Sequence, residues 1–399
     1  MNIGLFGYGT VGSGVDELVE NRKCGKVKKV LSRTVKDAFR GRAVSDISEI
    51  ISDPEIDTVC ECMGGLHPAF DYITVAMKAG KNVVTSNKAV LAAYFRELTE
   101  LTRETGVSFR ATASVGGGIP WLTTLEQLLK SEDLIALSGI MNGTTNFILS
   151  KMEENLKKRE NADFSKILKE AQALGYAERD PSADIDGIDA RRKLAISMNV
   201  GFGGVFDENE IPAFGIRSIE PADFEAAFQM GRTIRLMACG AILPKESEAG
   251  TDSNLYAEGL VMPVFVSADS EEAATGDCNN LFKAIGRKSG SHLLTGEGAG
   301  KFPTAGNVIR DLNDIREKHP GFYRADFQPG KIRFGSQTEA FYLRGAFPSE
   351  LLRDITERIT KGGAIITRKI STGTLLKYID SLCIPYNKLF VARIPSLED

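Results

Sequence analysis

The sequence predicts an α/β protein with an N-terminal doubly wound, mostly parallel sheet over residues 1–133, an α+β domain over residues 134–302 and a small α+β unit over residues 335–399. Three observations predict it. A glycine-rich turn joins the first strand to the first helix. Strands then alternate with helices to about residue 111. From about Leu134 that alternation gives way to runs of helix and runs of strand.

The chain opens on Met1-Asn-Ile-Gly-Leu-Phe, an apolar run that reads as a short buried strand. It continues through Gly7-Tyr8-Gly9-Thr10-Val11-Gly12 into a helix from residue 11 to about 20. This is the G-x-G-x-x-G fingerprint of a dinucleotide site. Glycine lets the backbone turn and approach a pyrophosphate, which the free N–H groups of the helix start then bind. A tight strand-to-helix turn that binds nothing is the bland alternative. The second strand, 27–31, ends in Ser32-Arg33-Thr34. An NAD site would carry an acid there for the ribose hydroxyls. Arg33, with Lys36 near it, suits a 2′-phosphate instead and favours NADP over NAD, an ordinary exposed arginine being the alternative.

A strand at 58–63 runs into Gly64-Gly65, where the bare backbone admits close approach of a cofactor. A helix at 72–79, a strand at 82–85, one helix from 88 to about 105 and a strand at 107–111 follow. Ligands of such sheets lie at the carboxyl ends of the strands. Ser86-Asn87-Lys88 and the glycine turn 114–120 both stand at such ends. Lys88 opposes the dipole of the helix it begins, so it calls for an anion nearby; a solvent-facing lysine is the alternative.

Beyond this sheet the pattern predicts a strand at 134–141, a polar turn at 142–146, a charged helix to about 160 and an amphipathic helix at 162–174 stopped by Gly175. The stretch Glu178-Arg-Asp-Pro-Ser-Ala-Asp184-Ile-Asp-Gly-Ile-Asp189-Ala-Arg-Arg-Lys193 follows. Its bland reading is a solvated loop before a capped helix. Asp189 and Lys193, however, are spaced i, i+4 on one helical face. A lysine held among carboxylates is suited to donate a proton while the acids grip a polar substrate. Helices, one at 224–237, then lead to a strand-rich section at 256–294, read as a sheet of its own for substrate and self-association. The loop Gly296-Glu297-Gly298-Ala-Gly300 precedes a helix at 307–317, within a returning segment 303–320 that completes the first domain. Such a loop meets a phosphate, or serves only as the hinge back to the first domain. The C-terminal unit reads strand 339–344, helix 349–359, strand 364–370, helix 373–380 and strand 388–394.

At 399 residues and a formal charge of -4, with acids and bases interspersed, the chain offers no stripe for nucleic acid and no polybasic membrane patch. No apolar run approaches the roughly 20 residues of a membrane span, and a strand begins at once without a leader, so a cytoplasmic protein is expected. The partners expected are small molecules or further copies of the chain. Six scattered cysteines and three histidines show no metal spacing, which argues against zinc and triad chemistry and for buried thiols.

The order of motifs resembles the homoserine dehydrogenase family from Met1 to about Leu312. The matching stretches are Gly7-Tyr-Gly-Thr-Val-Gly, Val83-Val-Thr-Ser-Asn-Lys88, Ala113-Ser-Val-Gly-Gly-Gly-Ile-Pro, Gly139-Ile-Met-Asn-Gly-Thr-Thr-Asn-Phe-Ile-Leu, Ala171 to Lys193 and Gly298-Ala-Gly-Lys-Phe-Pro-Thr-Ala. The resemblance implies a Rossmann-type first domain and an NAD(P)-dependent interconversion of L-aspartate 4-semialdehyde and L-homoserine, in threonine, methionine and isoleucine biosynthesis. It places the proton donor on Lys193 and a second functional lysine on Lys88. Substrate-gripping acids fall on Glu178 and Asp189, with Asp184 nearby. It also implies a monovalent cation, typically sodium, on backbone oxygens of Val115, Gly117 and Ile119, and a homodimer or dimer of dimers. The sequence departs from the family at Thr112, where Glu is usual, and at Glu297, where Pro is common. The C-terminal unit has an ACT-like order of elements, but its turn Gly345-Ala-Phe-Pro-Ser-Glu lacks the usual Asp and Pro-Gly pair, which argues against threonine feedback. The competing readings are another Rossmann oxidoreductase acting on an amino acid semialdehyde and a non-catalytic nucleotide-sensing regulator.

Overall fold

Short apolar strands set the first layer: β1 (Asn2–Phe6), β2 (Lys26–Leu31), β3 (Ala43–Val44), β4 (Thr58–Glu61), β5 (Asn82–Thr85) and β6 (Phe109–Arg110). In the computed structural model, which describes residues 1–33, 39, 41–244, 253–319, 321, 323, 326–346 and 349–396, they form a wholly parallel sheet in the order β3-β2-β1-β4-β5-β6. Lys36 and, in the C-terminal turn, Phe347 and Pro348 lie outside the described residues. β4 is buried throughout and β1 everywhere but Asn2, as expected of a sheet covered by helices on both faces. The chain leaves β1 towards β2 and β3, then returns to β4 on the other side, so the carboxyl ends of β1 and β4 border a crevice.

The helix Lys301–Arg316 packs back onto this half. Its Ala305, Val308 and Leu312 share an apolar cluster with Val15 and Val19 of the helix Thr10–Arg22. Gly14 permits that approach, since a Cβ there would stand 2.9 Å from Lys301 O.

The remaining strands are β7 (Leu134–Ile140), β8 (Gly204–Val205), β9 (Arg232–Ile242), β10 (Leu255–Ser267), β11 (Asn279–Gly286), β12 (Gly290–Glu297), β13 (Gln328–Ile332), β14 (Thr338–Arg344), β15 (Thr356–Ile359), β16 (Ile365–Thr367), β17 (Ile370–Ser371) and β18 (Phe390–Ile394). They make one mixed sheet with the main path β12-β11-β7-β9-β10-β18-β14-β16-β15. β10 shows how it is buried. Ala257, Val261 and Phe265 point into one apolar cluster, while Leu260, Met262, Val264 and Val266 point into another, because successive side chains of a strand face opposite ways.

The structure corrects the sequence reading at several elements. The helix expected at 224–237 is a helix Pro221–Phe228 followed by β9. Gly231, at φ +69°, breaks the helix, and β9 is buried nearly throughout, so no period of two marks it as a strand. The polar turn at 142–146 is the start of the helix Gly143–Lys157, capped by Asn142, whose side chain accepts from Thr145 N. The single helix at 88–105 divides at Tyr94 into Lys88–Ala93 and Phe95–Thr105. The helix at 307–317 begins earlier, at Lys301. In the C-terminal unit the first helix is a 3₁₀ turn, Ser349–Ile355, running into β15.

The second sheet is not confined to residues 134–302. β18, β14, β16 and β15 are antiparallel to one another, and β18 joins β10 in parallel where Val264 faces Arg393. Backbone pairing thus makes the C-terminal unit an extension of this sheet. Of the six free thiols only Cys24 and Cys60 are buried, and Cys383 is exposed.

Candidate active site

Every strand of the first sheet delivers its carboxyl end to one edge. After β1, Gly7 sits at φ +87°, and a Cβ at Gly12 would lie 2.2 Å from Gly7 O, so glycine is required at both places. Gly9 caps the helix Thr10–Arg22 without a side-chain bond, and a Cβ there would meet nothing within 4 Å. Open space in front of free N–H groups fits a pyrophosphate. Below the turn, Tyr8 donates its hydroxyl to Asp16 at 2.8 Å, and Asp16 is held by two guanidinium bonds from Arg42, each 2.8 Å. Thr10 and Val11 open the helix. Arg33 follows β2 and is exposed.

After β4 the backbone turns through Gly64 and Gly65 at φ +78° and +74°. Glu61 organises this turn. Its carboxylate accepts from Met63 N at 2.7 Å, Gly64 N at 3.4 Å and Thr85 Oγ1 at 2.6 Å. Burial pushes its pKa up, against those hydrogen bonds. Asn87 then ties the turn to the next helix, donating to Gly65 O at 2.8 Å and accepting from Val90 N at 3.2 Å.

Lys88 begins that helix, and the anion that its position calls for is internal. Its Nζ pairs with Asp189 Oδ1, from a residue 101 positions along the chain. The other oxygen, Oδ2, takes Lys193 Nζ at 2.9 Å and Asn142 Nδ2 at 3.0 Å. Lys193 also donates to Met141 O at 2.7 Å, and Asn142 to Asp184 Oδ1 at 2.7 Å. Asp189 and Lys193 are buried on one face of the helix Ile188–Phe202, which starts after Gly187 at φ +80°. The bonds of Asn142 gather Lys88, Asp184, Asp189 and Lys193 into one network.

Burial acts differently on each member. It would raise the Asp189 pKa, but the ammonium groups of Lys193 and Lys88 outweigh it and hold the carboxyl well below its usual range. It lowers the Lys193 pKa, against the pull of Asp189, and Lys88 lowers it further. It raises the Asp184 pKa, opposed by the bond from Asn142. The arrangement sets a buried acid between a buried lysine and a half-exposed one, next to the Gly64–Gly65 turn that Asn87 holds. What it can do is hand a proton to an oxygen that gains negative charge.

Residues 7–111 match the family model described as homoserine dehydrogenase, NAD binding domain, and residues 120–312 match that described as homoserine dehydrogenase. A homoserine dehydrogenase of Lactococcus lactis subsp. lactis is 39% identical over 336 residues, covering 80% of this chain and 75% of that protein. The chain belongs to the homoserine dehydrogenase family. Another member, from Synechocystis sp., is 38% identical over 327 residues, 79% of this chain and 73% of that protein. The crystal structure of a homoserine dehydrogenase from Thiobacillus denitrificans superposes with a TM-score of 0.82 at 28% identity, covering 100% of this chain and 98% of that one. A hyperthermophilic archaeal homoserine dehydrogenase mutant, solved in complex with NADPH, superposes with a TM-score of 0.65 at 25% identity over 80% of this chain and 98% of its own.

The structure also places the substrate-gripping acids and the cation carbonyls that the homoserine dehydrogenase resemblance implies. Asp189, implied as a substrate-gripping acid, has each of its oxygens paired with a lysine. Glu178 is exposed outside the network, and its carboxylate makes no ion pair among the described residues. Two of the three carbonyls expected to bind a cation are already engaged: Gly117 O and Ile119 O both accept from Asn307 Nδ2, the latter at 3.0 Å, and Ile119 O also takes Trp121 N at 2.8 Å. Val115 is buried beside them. This donor set does not fit a sodium ion.

Gly298 packs on Asn280 and against Gly117: a Cβ at Gly298 would stand 2.3 Å from Asn280 Cγ, and one at Gly117 2.4 Å from Gly298 C. The loop therefore joins the two halves. Sequence reasoning missed Asn142, Glu61 and Asn307 as members of these networks. Only Asn142 carried a local signal, that of a helix cap.

Proposed function

We propose that this chain interconverts L-aspartate 4-semialdehyde and L-homoserine with NADP, NAD being the alternative cofactor. The observation that carries the reading is the pairing of the buried Asp189 with the buried Lys193 and the half-exposed Lys88 at the carboxyl edge of the parallel sheet. Gly7 to Gly12 and Gly64 would hold the nucleotide, Arg33 its 2′-phosphate, and Gly298 the far side; Lys88, at the start of the helix after β5, would face nicotinamide and substrate. NADP, when bound, supplies the hydride, and positioning and proton movement fall to the protein.

Lys193 Nζ has three protons. Asp189 Oδ2 and Met141 O take two, which leaves the third for the oxygen of the aldehyde as it becomes an alkoxide. Burial makes the ammonium a better acid, and Asp189 keeps both lysines in place. With Asp189 so committed, the ammonium of the amino acid substrate falls to Asp184, which the network reaches through Asn142, and to the exposed Glu178. Self-association through the second sheet accords with β12, which stands at the sheet's outer end with Leu293 exposed. The C-terminal unit runs strand, 3₁₀ turn, three strands, helix and strand, with β18-β14-β16-β15 side by side in the sheet, which supports an ACT-like accessory role.

The test is NADPH oxidation by the whole chain with aspartate semialdehyde, against NADH and against other small aldehydes. Turnover selective for aspartate semialdehyde and faster with NADPH is expected. Nucleotide binding without turnover on any aldehyde would leave the regulator reading standing. A faster reaction with another semialdehyde would point to a different oxidoreductase of the same fold. Equal use of both nucleotides, unchanged in Arg33→Ala, would remove Arg33 from the phosphate.

A further inference from the structure

The glycine turn at residues 115–119 is where the family resemblance places a monovalent cation, and the structure fills that place with a side chain. Asn307, on the helix Lys301–Arg316 and only 1% exposed, donates through Nδ2 to Gly117 O and Ile119 O. Its Oδ1 accepts from Arg310 Nη1, one turn along the same helix. The orientation of the amide is fixed by its partners. Carbonyl oxygens only accept and a guanidinium only donates, so the nitrogen must face the turn and the oxygen must face Arg310. An amide nitrogen carries two N–H groups, which is the number that two carbonyls require.

We propose that Asn307, backed by Arg310, is a built-in replacement for the cation, so that this chain forms its glycine turn without bound sodium or potassium. Carbonyl dipoles that converge in a buried place need a positive partner, since an unsatisfied acceptor there pays its full desolvation. The amide hydrogens supply the partial charge, and the guanidinium behind Oδ1 polarises the amide. The turn matters for the whole molecule: Gly117 packs on Gly298, and Gly118 N donates to Glu297 O at 3.1 Å, so its shape sets how the end of β12 meets the first domain.

The test is thermal melting and calorimetric titration of the full chain at constant ionic strength, with sodium, potassium or the bulky tetramethylammonium as the only cation. Neither readout depends on the proposed reaction. The wild-type chain is expected to melt at one temperature in all three salts and to give no saturable heat. Asn307→Ala, which takes the amide donor from Gly117 O and leaves Ile119 O with Trp121 N alone, is expected to melt several degrees lower in tetramethylammonium and to recover saturably with sodium or potassium. A wild-type chain that sodium or potassium stabilises saturably would overturn the proposal, as would an Asn307→Ala chain indifferent to the cation. Should that variant not fold, Asn307→Asp keeps the shape and aims a carboxylate at the carbonyls. It is expected to melt higher with sodium or potassium, and indifference in it overturns the proposal equally.

Discussion

In the proposed reaction Lys193 must be protonated to reduce the aldehyde, so its environment sets the pH range of activity. Burial lowers its pKa from the ordinary lysine value of 10.5, and Asp189 pulls it back up. Activity is therefore present below the lowered pKa and lost as pH rises through it. Asp189→Asn removes the upward pull and should move this alkaline limb of kcat to lower pH; a limb that stays in place would assign the proton elsewhere. Lys193→Ala should cut kcat by about 10²- to 10⁴-fold. Both variants need a check of folding by circular dichroism, because breaking a buried ion pair costs about 3–5 kcal/mol. Lys88, Asp189 and Lys193 were legible as residues, through helix position and i, i+4 spacing. That Lys88 answers to Asp189 was not, since no local rule links residues so far apart in the chain.

At the scale of the element, the helix Lys301–Arg316 carries more than the sequence discloses. From it Asn307 holds the glycine turn, and Asp311 accepts from Thr112 N at 2.9 Å. Asp311 is fully buried, with no partner for Oδ1 among the described residues, and burial pushes its pKa up to about 7, against the pull of Thr112 and Arg110. Below the ordinary value of 3.8 the group is neutral in both folded and unfolded chains. Between 3.8 and about 7 only the folded chain keeps the proton, so this group's stabilisation is lost as pH rises through that window. Asp311→Asn keeps the bond from Thr112 N and cannot ionise. Its melting temperature should match the wild type near pH 4, exceed it increasingly towards pH 7 and keep that lead above; a constant difference across the range would show that Asp311 does not titrate there. The helix was legible from its apolar period, but its true start at Lys301 was hidden by the glycine loop before it.

For the whole molecule, the extended second sheet decides how the C-terminal unit behaves. In this chain, Phe341, Leu343, Leu375, Ile379 and Val391 share a cluster with Met237, Leu260, Met262 and Val264. Uncovering a large apolar side chain forfeits about 1.5–3 kcal/mol, and a chain ending at residue 334 would uncover several while baring the edge of β10. Such a chain should aggregate or melt many degrees lower. A monodisperse product with the wild-type melting temperature, by light scattering and thermal scanning, would show the unit to be independent.

The sequence by itself determined the parallel sheet, the glycine turn and the charged stretch, because strand–helix alternation, positive-φ glycines and i, i+4 spacing are local signals. It also determined the family, because its motifs recur in a fixed order. Only the tertiary structure decided where each charge ends: Asp189 between two lysines, Asn307 on the turn beneath Gly298, β18 against β10. Those are contacts between residues distant in the chain, and their energetics depend on burial, which no stretch of sequence displays until the chain has closed around it.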